Sequence, residues 1–324
     1  MIRTAFTELL GINHPIALAG MAGDTTPDLV AAVTNAGGLG ILGVSDAPPE
    51  KLDRVVAETR EKARGPFGLN LLLNFMSDEE IDLVLAKRPA VFSTAWPGDK
   101  QDLKAIFARA HDAGAKVLHM VPTVVDALKA AEAGADLIVA QGTDGGGHIG
   151  LVGTVVIVPA VANAVAPIPV LAAGGIADGR GLAAMLALGA SGVLMGTRFI
   201  ATTEAPLHDA FKQKIIDSDG TDTIVTDVGD VMIGGDWPGA FARVVRNRMI
   251  ERWLGRLNEL RRRREEAYRR MTEARRAGDI DESVVYYGQS AALIGEVLPA
   301  GEVVARTVRE AEEVLKDRLP RLLT

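Results

Sequence analysis

Eight short apolar runs, evenly spaced through the first two-thirds of the chain, constrain its fold more than any other feature. Each run has the length and composition of a buried parallel strand. Successive runs begin about 20 to 33 residues apart, which leaves room for one strand and one crossover helix per unit. The runs are residues 15–20, 38–43, 67–73, 90–94, 116–121, 136–142, 169–175 and 192–197.

The segments between the runs carry the start and stop signals of helices. Thr26 is a predicted N-cap with Pro27 at the first helical position, and Ser77 and Glu80 have the spacing of a capping box. Glycines that would close a helix with a left-handed cap just before the next strand are Gly37, Gly114, Gly134 and Gly189. Eight such βα units predict a (β/α)₈ TIM barrel, and an open doubly wound sheet is the alternative.

Polar residues and glycines gather where these strands end, which favours the barrel, because a barrel has its active site at that face. The residues concerned are Met21, Asn70, Thr94, Gln141, Gly174, Gly175, Gly196 and Thr197.

Composition excludes several classes of protein. The formal net charge of −7 argues against nucleic acid as the main partner. The absence of cysteine excludes disulfides, thiolate catalysis and thiolate-bound metals. The chain begins without a secretory signal, and no stretch approaches the ~20 apolar residues of a membrane span, so we expect a cytoplasmic protein without a membrane partner.

The pattern changes after about residue 205, and the sequence predicts a barrel over 1–205 and a helical cap over 206–324. Apolar residues from Phe241 to Leu260 recur at three- and four-residue steps, which predicts one long amphipathic helix. Residues 243–276 contain 13 arginines and 5 acids, a local charge of +8 that is typical of a solvated helix face. A last helix is predicted over about 302–318.

The loops after the seventh and eighth runs have the features of a phosphate site. Glycines allow backbone amides to approach an anion, and the helix that begins near Asp178 favours negative charge at its N-terminus. Barrel enzymes commonly hold a phosphate at these two loops. By contrast, the G-x-G-x-x-G strings at 38–43 and 145–150 lack the context of a dinucleotide site.

The stretch AQGTDGGGHIG (140–150) follows the sixth run and lies beside the phosphate loops. Its glycines leave room for a flat ligand, and we expect a loop to hold His148 over that ligand. No histidine or carboxylate motif of a metal site accompanies His148, so a metal is not expected. The chain also has no G-x-S-x-G nucleophile motif.

Together, residues 140–150, 169–181, 192–199 and the early AGM…VAAVTNAGGLG resemble the nitronate monooxygenase (2-nitropropane dioxygenase) family. The resemblance covers nearly the whole chain, and YYGQSAALI (286–294) is similar to a C-terminal segment of that family that returns to the flavin. The resemblance implies a barrel that binds FMN, with His148 as the catalytic histidine. Gln289 and Ser290 would line the substrate side of the flavin.

The cofactor residues that the resemblance implies form two groups. The FMN phosphate would rest on Gly174, Gly175, Gly196 and Thr197. The ring and ribityl chain would meet Gly20, Met21, Asn70, Gln141, Gly146 and Met195.

The expected activity is oxidation of alkyl nitronates, and of nitroalkanes once His148 has removed the α-proton, with O₂ as the second substrate. Flavin-dependent enoyl-ACP reductases share most of these motifs and are the first alternative, followed by NAD(P)H:quinone reductases. A binding or regulatory protein on an inactive barrel is a rival of a different class. The oligomeric state stays open, with a homodimer as one option.

Overall fold

Each of the eight apolar runs forms one strand of a single parallel sheet in the computed structural model, which describes residues 2–45, 47–235, 237 and 239–322. Three further strands lie outside that sheet. Within the described residues the strands are β1 (Ile16–Leu18), β2 (Gly40–Gly43), β3 (Phe67–Leu72), β4 (Val91–Ala95), β5 (Lys116–Val121), β6 (Leu137–Gln141), β7 (Gly147–Ile149), β8 (Val170–Ala173), β9 (Gly192–Met195), β10 (Thr223–Thr226) and β11 (Phe241–Val245).

The parallel strands follow one another in the order β1-β9-β8-β6-β5-β4-β3-β2. A single parallel bridge between Ala17 and Leu39 joins the two ends of this sheet, so the eight strands form a nearly closed barrel. The structure thus confirms the predicted (β/α)₈ barrel over the open doubly wound sheet. The other three strands form a separate sheet, in the order β10-β11-β7.

Helices connect the barrel strands and make up most of the C-terminal third of the chain. Single turns of 3₁₀ or π geometry span 73–75, 280–282, 289–293, 314–318 and 320–322. The α-helices are α1 (Ala5–Leu10), α2 (Pro27–Asn35), α3 (Pro49–Lys62), α4 (Asp78–Leu85), α5 (Leu103–Asp112), α6 (Val124–Ala133), α7 (Thr154–Val165), α8 (Gly179–Ala187), α9 (Thr197–Ile200), α10 (Asp209–Ile216), α11 (Val228–Ile233), α12 (Arg248–Trp253), α13 (Leu257–Arg262), α14 (Arg264–Ala277) and α15 (Ala300–Glu313).

The predicted helix signals are confirmed at their residues. The Thr26 side chain accepts from the amide of Leu29, and Ser77 and Glu80 form a reciprocal capping box. The four glycines expected to close helices all have positive φ, between 83° and 99°. These local signals are reliable because each satisfies backbone groups that a helix end leaves unpaired.

The last helix, α15, packs against α8 and α2. It therefore covers the barrel between α8 of the seventh βα unit and α2 of the first. This is the position expected for the helix that follows β9, the last barrel strand. About a hundred residues separate β9 from this helix, and they contain β10, β11 and α9 to α14. We call residues 197–299 the insert. The division of the chain at residue 205 into two domains stays a prediction.

The barrel strands have one apolar layer on their inner side and another on their outer side. The inner layer fills the barrel, with Phe6 of α1 among side chains such as Leu118, Val139 and Leu171. The outer layer lies between the strands and the helices and contains Met195. Because side chains alternate along a strand, each residue belongs to one layer or the other.

Thr94 lies at the end of β4 as predicted, but its side chain belongs to the outer layer and not to the barrel mouth. Its Oγ1 lies 2.7 Å from Nδ1 of His119, both residues are buried, and the ring of Phe107 on α5 packs on His119. The neighbouring Ser93 faces the interior instead, where its hydroxyl donates to Oδ1 of Asn70 over 2.8 Å. A shift of one residue exchanges the two faces of a strand.

The predicted single amphipathic helix after Phe241 is also wrong. The segment contains β11 and then the three helices α12, α13 and α14. Asn247 begins α12 by accepting from the amide of Ile250, and Gly255, with φ 71°, separates α12 from α13. The apolar stripe still marks buried positions, because Met249, Trp253 and Leu260 share one core.

Candidate active site

The glycine-rich stretch after β6 forms a bridge between the barrel and the insert. Its last residues are β7, which pairs antiparallel with β11, and His148 lies opposite Ala242 in that ladder. Arg243 of β11 reaches back to the stretch, where its Nε and Nη2 donate to the carbonyl of Thr143 over 3.1 and 2.9 Å. His148 is therefore held by a short strand rather than by the free loop that the sequence predicts.

His148 is hydrogen-bonded to a carboxylate of the insert. Its Nε2 lies 2.8 Å from Oδ1 of Asp230 on α11. The side chains of His148 and Asp230 are only 14% and 7% exposed, so solvent screens the pair weakly. Because a carboxylate only accepts, we assign the ring hydrogen to Nε2, which leaves Nδ1 as the basic nitrogen.

Aromatic rings surround this pair. Trp237 stacks on the imidazole of His148 with ring centroids 3.4 Å apart and an interplanar angle of 9°. Phe75 and Trp96, from the loops after β3 and β4, contact Trp237 edge-on at 4.9 and 6.2 Å. Trp96 has φ 50°, a conformation that bulky residues rarely adopt and that is often found at functional sites.

Tyr286 lies on another side of the same imidazole, with ring centroids 6.3 Å apart. Burial, with a smaller contribution from the charge of Asp230, raises the pKa of Tyr286 above its ordinary value. The phenol therefore stays protonated at neutral pH and can donate a hydrogen bond near His148.

The predicted phosphate corner has free backbone donors. Gly174 and Gly175 have φ values of 97° and 75°, which favour glycine. Their amides and that of Ile176 have no acceptor within the described part of the chain. A Cβ at Gly196 would lie 3.3 Å from Sδ of Met21, so the structure places Met21 beside this corner.

The N-terminus of α8 differs from the expectation, because protein groups already occupy it. The Asp178 side chain accepts from the amide of Gly181, and Glu310 of α15 accepts from the amide of Gly179 over 3.0 Å. An anion at this corner must therefore bind to the glycine amides of the loop.

The segment at 286–294 lies against two other parts of the site. One is the His148 stretch (residues 140–150), and the other is the predicted phosphate corner (Gly174, Gly175, Gly196 and Thr197). The amide of Gly288 donates to Oγ1 of Thr197 over 2.9 Å, and the amide of Gln289 donates to the carbonyl of Asp144 over 3.0 Å. A Cβ at Gly146 would overlap the carbonyl carbon of Tyr287 and lie 2.5 Å from the nitrogen of Gly288. Ser290 is buried in this segment, whereas Gln289 is exposed.

Other predicted cofactor residues line the interior at the end of the barrel. Asn70 donates to the carbonyl of Gly20 over 3.2 Å, and a Cβ at Gly20 would overlap Asn70, so this glycine has a packing reason of its own. Gln141 is buried, and its Oε1 has no partner among the described residues. The Met195 side chain points into the outer layer, so the structure does not bring it to the others.

These donors and acceptors fit a flavin. The free amides at Gly174–Ile176 suit an anion, and the unpartnered Oε1 of Gln141 suits a ring N–H. Among the described residues there is no cluster of three or more side chains that could hold a metal ion, and no helix there is long and apolar enough to cross a membrane.

The sequence offered little signal for the residues of the insert at this site. Asp230 lies 82 positions after His148, and no spacing rule connects them. Trp237 carries no motif in the sequence, and Tyr286 stood out only as part of the 286–294 segment, with no role of its own. The pairing of β7 with β11 brings these residues together. Because β7 has only three residues, its alternation is too short to predict that pairing from the sequence.

Comparison with known proteins identifies the family of the chain. The family model "Nitronate monooxygenase" matches residues 3–87 and 75–310. The structure superposes on that of FabK from Thermotoga maritima with a TM-score of 0.87, at 35% identity over 99% of this chain and 100% of that one. A nitroalkane oxidase from Streptomyces ansochromogenes gives a TM-score of 0.81, at 28% identity over 97% of this chain and 100% of that one.

A curated relative from Rhodococcus jostii is named as a (3aS,4S,5R,7aS)-5-hydroxy-7a-methyl-1-oxo-octahydro-1H-indene-4-carboxyl-CoA dehydrogenase. It is 41% identical over 226 residues, which are 69% of this chain and 63% of the relative, so the match spans less than two thirds of that protein. The family match covers most of the present chain. The chain belongs to the nitronate monooxygenase family and is a flavin-dependent oxidoreductase.

Proposed function

We propose that the protein oxidises alkyl nitronates with O₂, giving carbonyl compounds and nitrite, and that FMN is its cofactor. The observation that carries this proposal is the buried pair of His148 and Asp230, since the stretch that holds His148 also lies against Gly174 and Gly175. The family model and the resemblance to a nitroalkane oxidase support the same substrate class.

The His148–Asp230 pair suits proton removal from a carbon beside a nitro group. Nδ1 of His148 accepts the α-proton of a nitroalkane, and the carboxylate of Asp230 stabilises the imidazolium that results. With a preformed nitronate the proton is already gone, and an imidazole that had taken a proton from solvent on Nδ1 would hold the anionic oxygens. Tyr286 supplies a second hydrogen-bond donor near the same position.

The aromatic cluster suits the alkyl part of such a substrate. Phe75, Trp96 and Trp237 form an apolar wall beside His148, and Phe75 is 40% exposed. An apolar wall favours alkyl chains over charged ones and excludes water from the reacting carbon.

FMN rather than FAD is supported by the one group of free glycine amides, at Gly174–Ile176, that the described residues place at the barrel mouth. The strand that follows the His148 stretch carries no acid for an adenosine ribose. A bound flavin would supply the electron transfer from the substrate carbon to O₂. Gly174, Gly175, Gly196 and Thr197 would hold its phosphate, and Gln141 its ring.

The direct test uses the purified protein with propyl nitronate and with neutral nitropropane, and measures O₂ uptake and nitrite. We expect nitrite from both substrates. His148→Ala should lower turnover of the neutral substrate by ~10²–10⁴-fold and that of the nitronate less, because only the first needs a base. Flavin released by heat should be FMN. Release of FAD, or no nitrite from either substrate, would refute the proposal.

Oxidation or reduction of a coenzyme A thioester is the second candidate. The 41% identity to the Rhodococcus CoA-ester dehydrogenase, against 28% to the nitroalkane oxidase, favours it. A thioester also acidifies its α-proton, so the same imidazole would serve. Turnover of an acyl-CoA or enoyl-CoA together with no reaction of nitronates would select this candidate.

A further inference from the structure

A cavity lies outside the candidate active site. It has a volume of about 450 Å³ and is lined by the start of α8, by α9, by the loop 293–298 and by α15. None of the residues predicted to bind FMN lines it. The volume is within the range that small organic ligands occupy in proteins.

Arg198, which follows Thr197 directly in the sequence, is the most unusual residue of this cavity. It is only 6% exposed, and its Nη2 donates to the backbone carbonyls of Ala201 and Glu296, each over 3.0 Å. Its Nε is buried and has no acceptor in the described chain. Burial lowers the pKa of Arg198 to about 10, so the group keeps its charge at neutral pH.

No described carboxylate lies within ion-pair distance of Arg198. Three of the four acids that line the cavity already have partners. Glu296 pairs with Arg306 at 2.7 Å, Asp178 pairs with Arg180 at 2.5 Å, and Glu310 accepts from the amide of Gly179. A buried guanidinium without a counter-ion is costly, and a bound anion would remove that cost.

The lining selects the kind of anion. Arg198 presents a planar guanidinium, which matches a carboxylate in geometry. Four acids and four arginines line the cavity, so the lining has no net positive charge, which suits a singly charged anion better than a dianion such as phosphate. The apolar part of the wall includes Leu293, Leu298 and Val303.

We propose that this cavity binds a small aliphatic monocarboxylate, with its carboxylate on Arg198 and its chain against Leu293, Leu298 and Val303. The site is separate from the catalytic centre. A ligand there contacts Arg198, the residue after Thr197, and Leu293, the last residue of the 289–293 turn.

Calorimetric titration of the purified holoenzyme tests the proposal, with hexanoate as the probe and hexan-1-ol and inorganic phosphate as matched controls. We expect hexanoate to bind saturably at one site, and both controls to bind at least ~10-fold more weakly. His148→Ala should leave hexanoate binding unchanged, because the active site is elsewhere. No saturable hexanoate binding, equal binding of hexanol, or loss of binding in His148→Ala would overturn the proposal.

Two variants test the location of the site. Arg198→Gln should abolish hexanoate binding, but it removes two hydrogen bonds to buried carbonyls and could prevent folding. Leu293→Trp therefore provides a second variant, since Leu293 is 48% exposed at the cavity and a larger ring would fill it. Leu128→Trp is the control, because Leu128 is 49% exposed on α6, away from the cavity. Unchanged binding in folded Leu293→Trp would contradict the proposal.

Discussion

The barrel and the insert contribute different groups to one site. The barrel offers backbone and amides in fixed positions, namely the glycine corner at 174–176 and Gln141 at the end of β6. The insert offers charge and aromatic surface through Asp230, Trp237 and Tyr286. The His148 stretch leaves the barrel at β6 and joins the sheet of the insert, so it belongs to both.

This difference indicates how the two regions divide the chemistry. A barrel end bears a cofactor well because its strands hold backbone groups rigidly. Proton transfer needs an imidazole whose tautomer is fixed, and here a carboxylate outside the barrel fixes it. We call the contact between the His148 stretch (140–150) and the insert the junction. We expect changes at the junction to affect both cofactor binding and proton transfer, and changes on either side of it to affect only one of the two.

The largest effect is expected from Gly146→Ala, which breaks the junction itself. The new Cβ would overlap the backbone of Tyr287, which cannot move away as a flexible side chain would. We expect the variant to lose bound flavin and nearly all turnover. Gly153→Ala is the control, since a Cβ there meets nothing within 4 Å. Flavin content and turnover equal to those of the control would show that the junction is not needed.

Asp230→Asn should separate the roles of the two regions, because it removes the charge of the Asp230 side chain in the insert and leaves the barrel intact. An amide can hydrogen-bond to the imidazole in the wrong tautomer, so we expect a loss of ~10²-fold or more in turnover of neutral nitroalkanes. Loss on preformed nitronates should be smaller, and flavin content should match that of the wild type. Flavin loss in this variant, or equal loss on both substrates, would contradict the assigned role.

The smallest effect on activity is expected from substitution of His119, whose side chain lies wholly in the outer layer of the barrel. Burial lowers the pKa of His119 to about 4 from an ordinary value of 6.5. The unfolded chain therefore binds a proton that the folded protein excludes, so the free energy of unfolding should fall as the pH drops from about 6.5 to about 4.

Denaturant unfolding at several pH values measures this effect. His119→Asn should flatten the pH dependence in that window and leave turnover at neutral pH almost unchanged. The exposed His208→Asn serves as the control and should keep the wild-type slope. If wild type and His119→Asn show the same slope, burial of a neutral His119 does not contribute to stability.

The barrel was predictable from sequence because its signals are local. An apolar run predicts a strand, and the Ser77–Glu80 box predicts a helix start, without knowledge of distant residues. The choice between Ser93 and Thr94 was not predictable, because the register of a buried strand decides which face is inside. The pattern from Phe241 to Leu260 predicted which residues are buried. It could not distinguish one long helix from a strand followed by short helices.

His148 and the glycine corner were found from sequence because a glycine-rich stretch after a strand is itself a signal. Asp230 was missed for the opposite reason. An aspartate within a short helix is ordinary in sequence, and only the ladder between β7 and β11 brings it to His148. Site residues that depend on a tertiary contact between two regions have no local pattern.

The central claim is that the small anionic substrate is itself the electron donor. Anaerobic mixing of the holoenzyme with propyl nitronate, and separately with NADH or NADPH, tests it most directly by following the flavin absorbance. We predict that the nitronate bleaches the flavin band within the time of turnover, while the nicotinamides do so slowly or not at all. Rapid bleaching by NADH, followed by turnover of an enoyl thioester and no reaction with nitronate, would contradict the account.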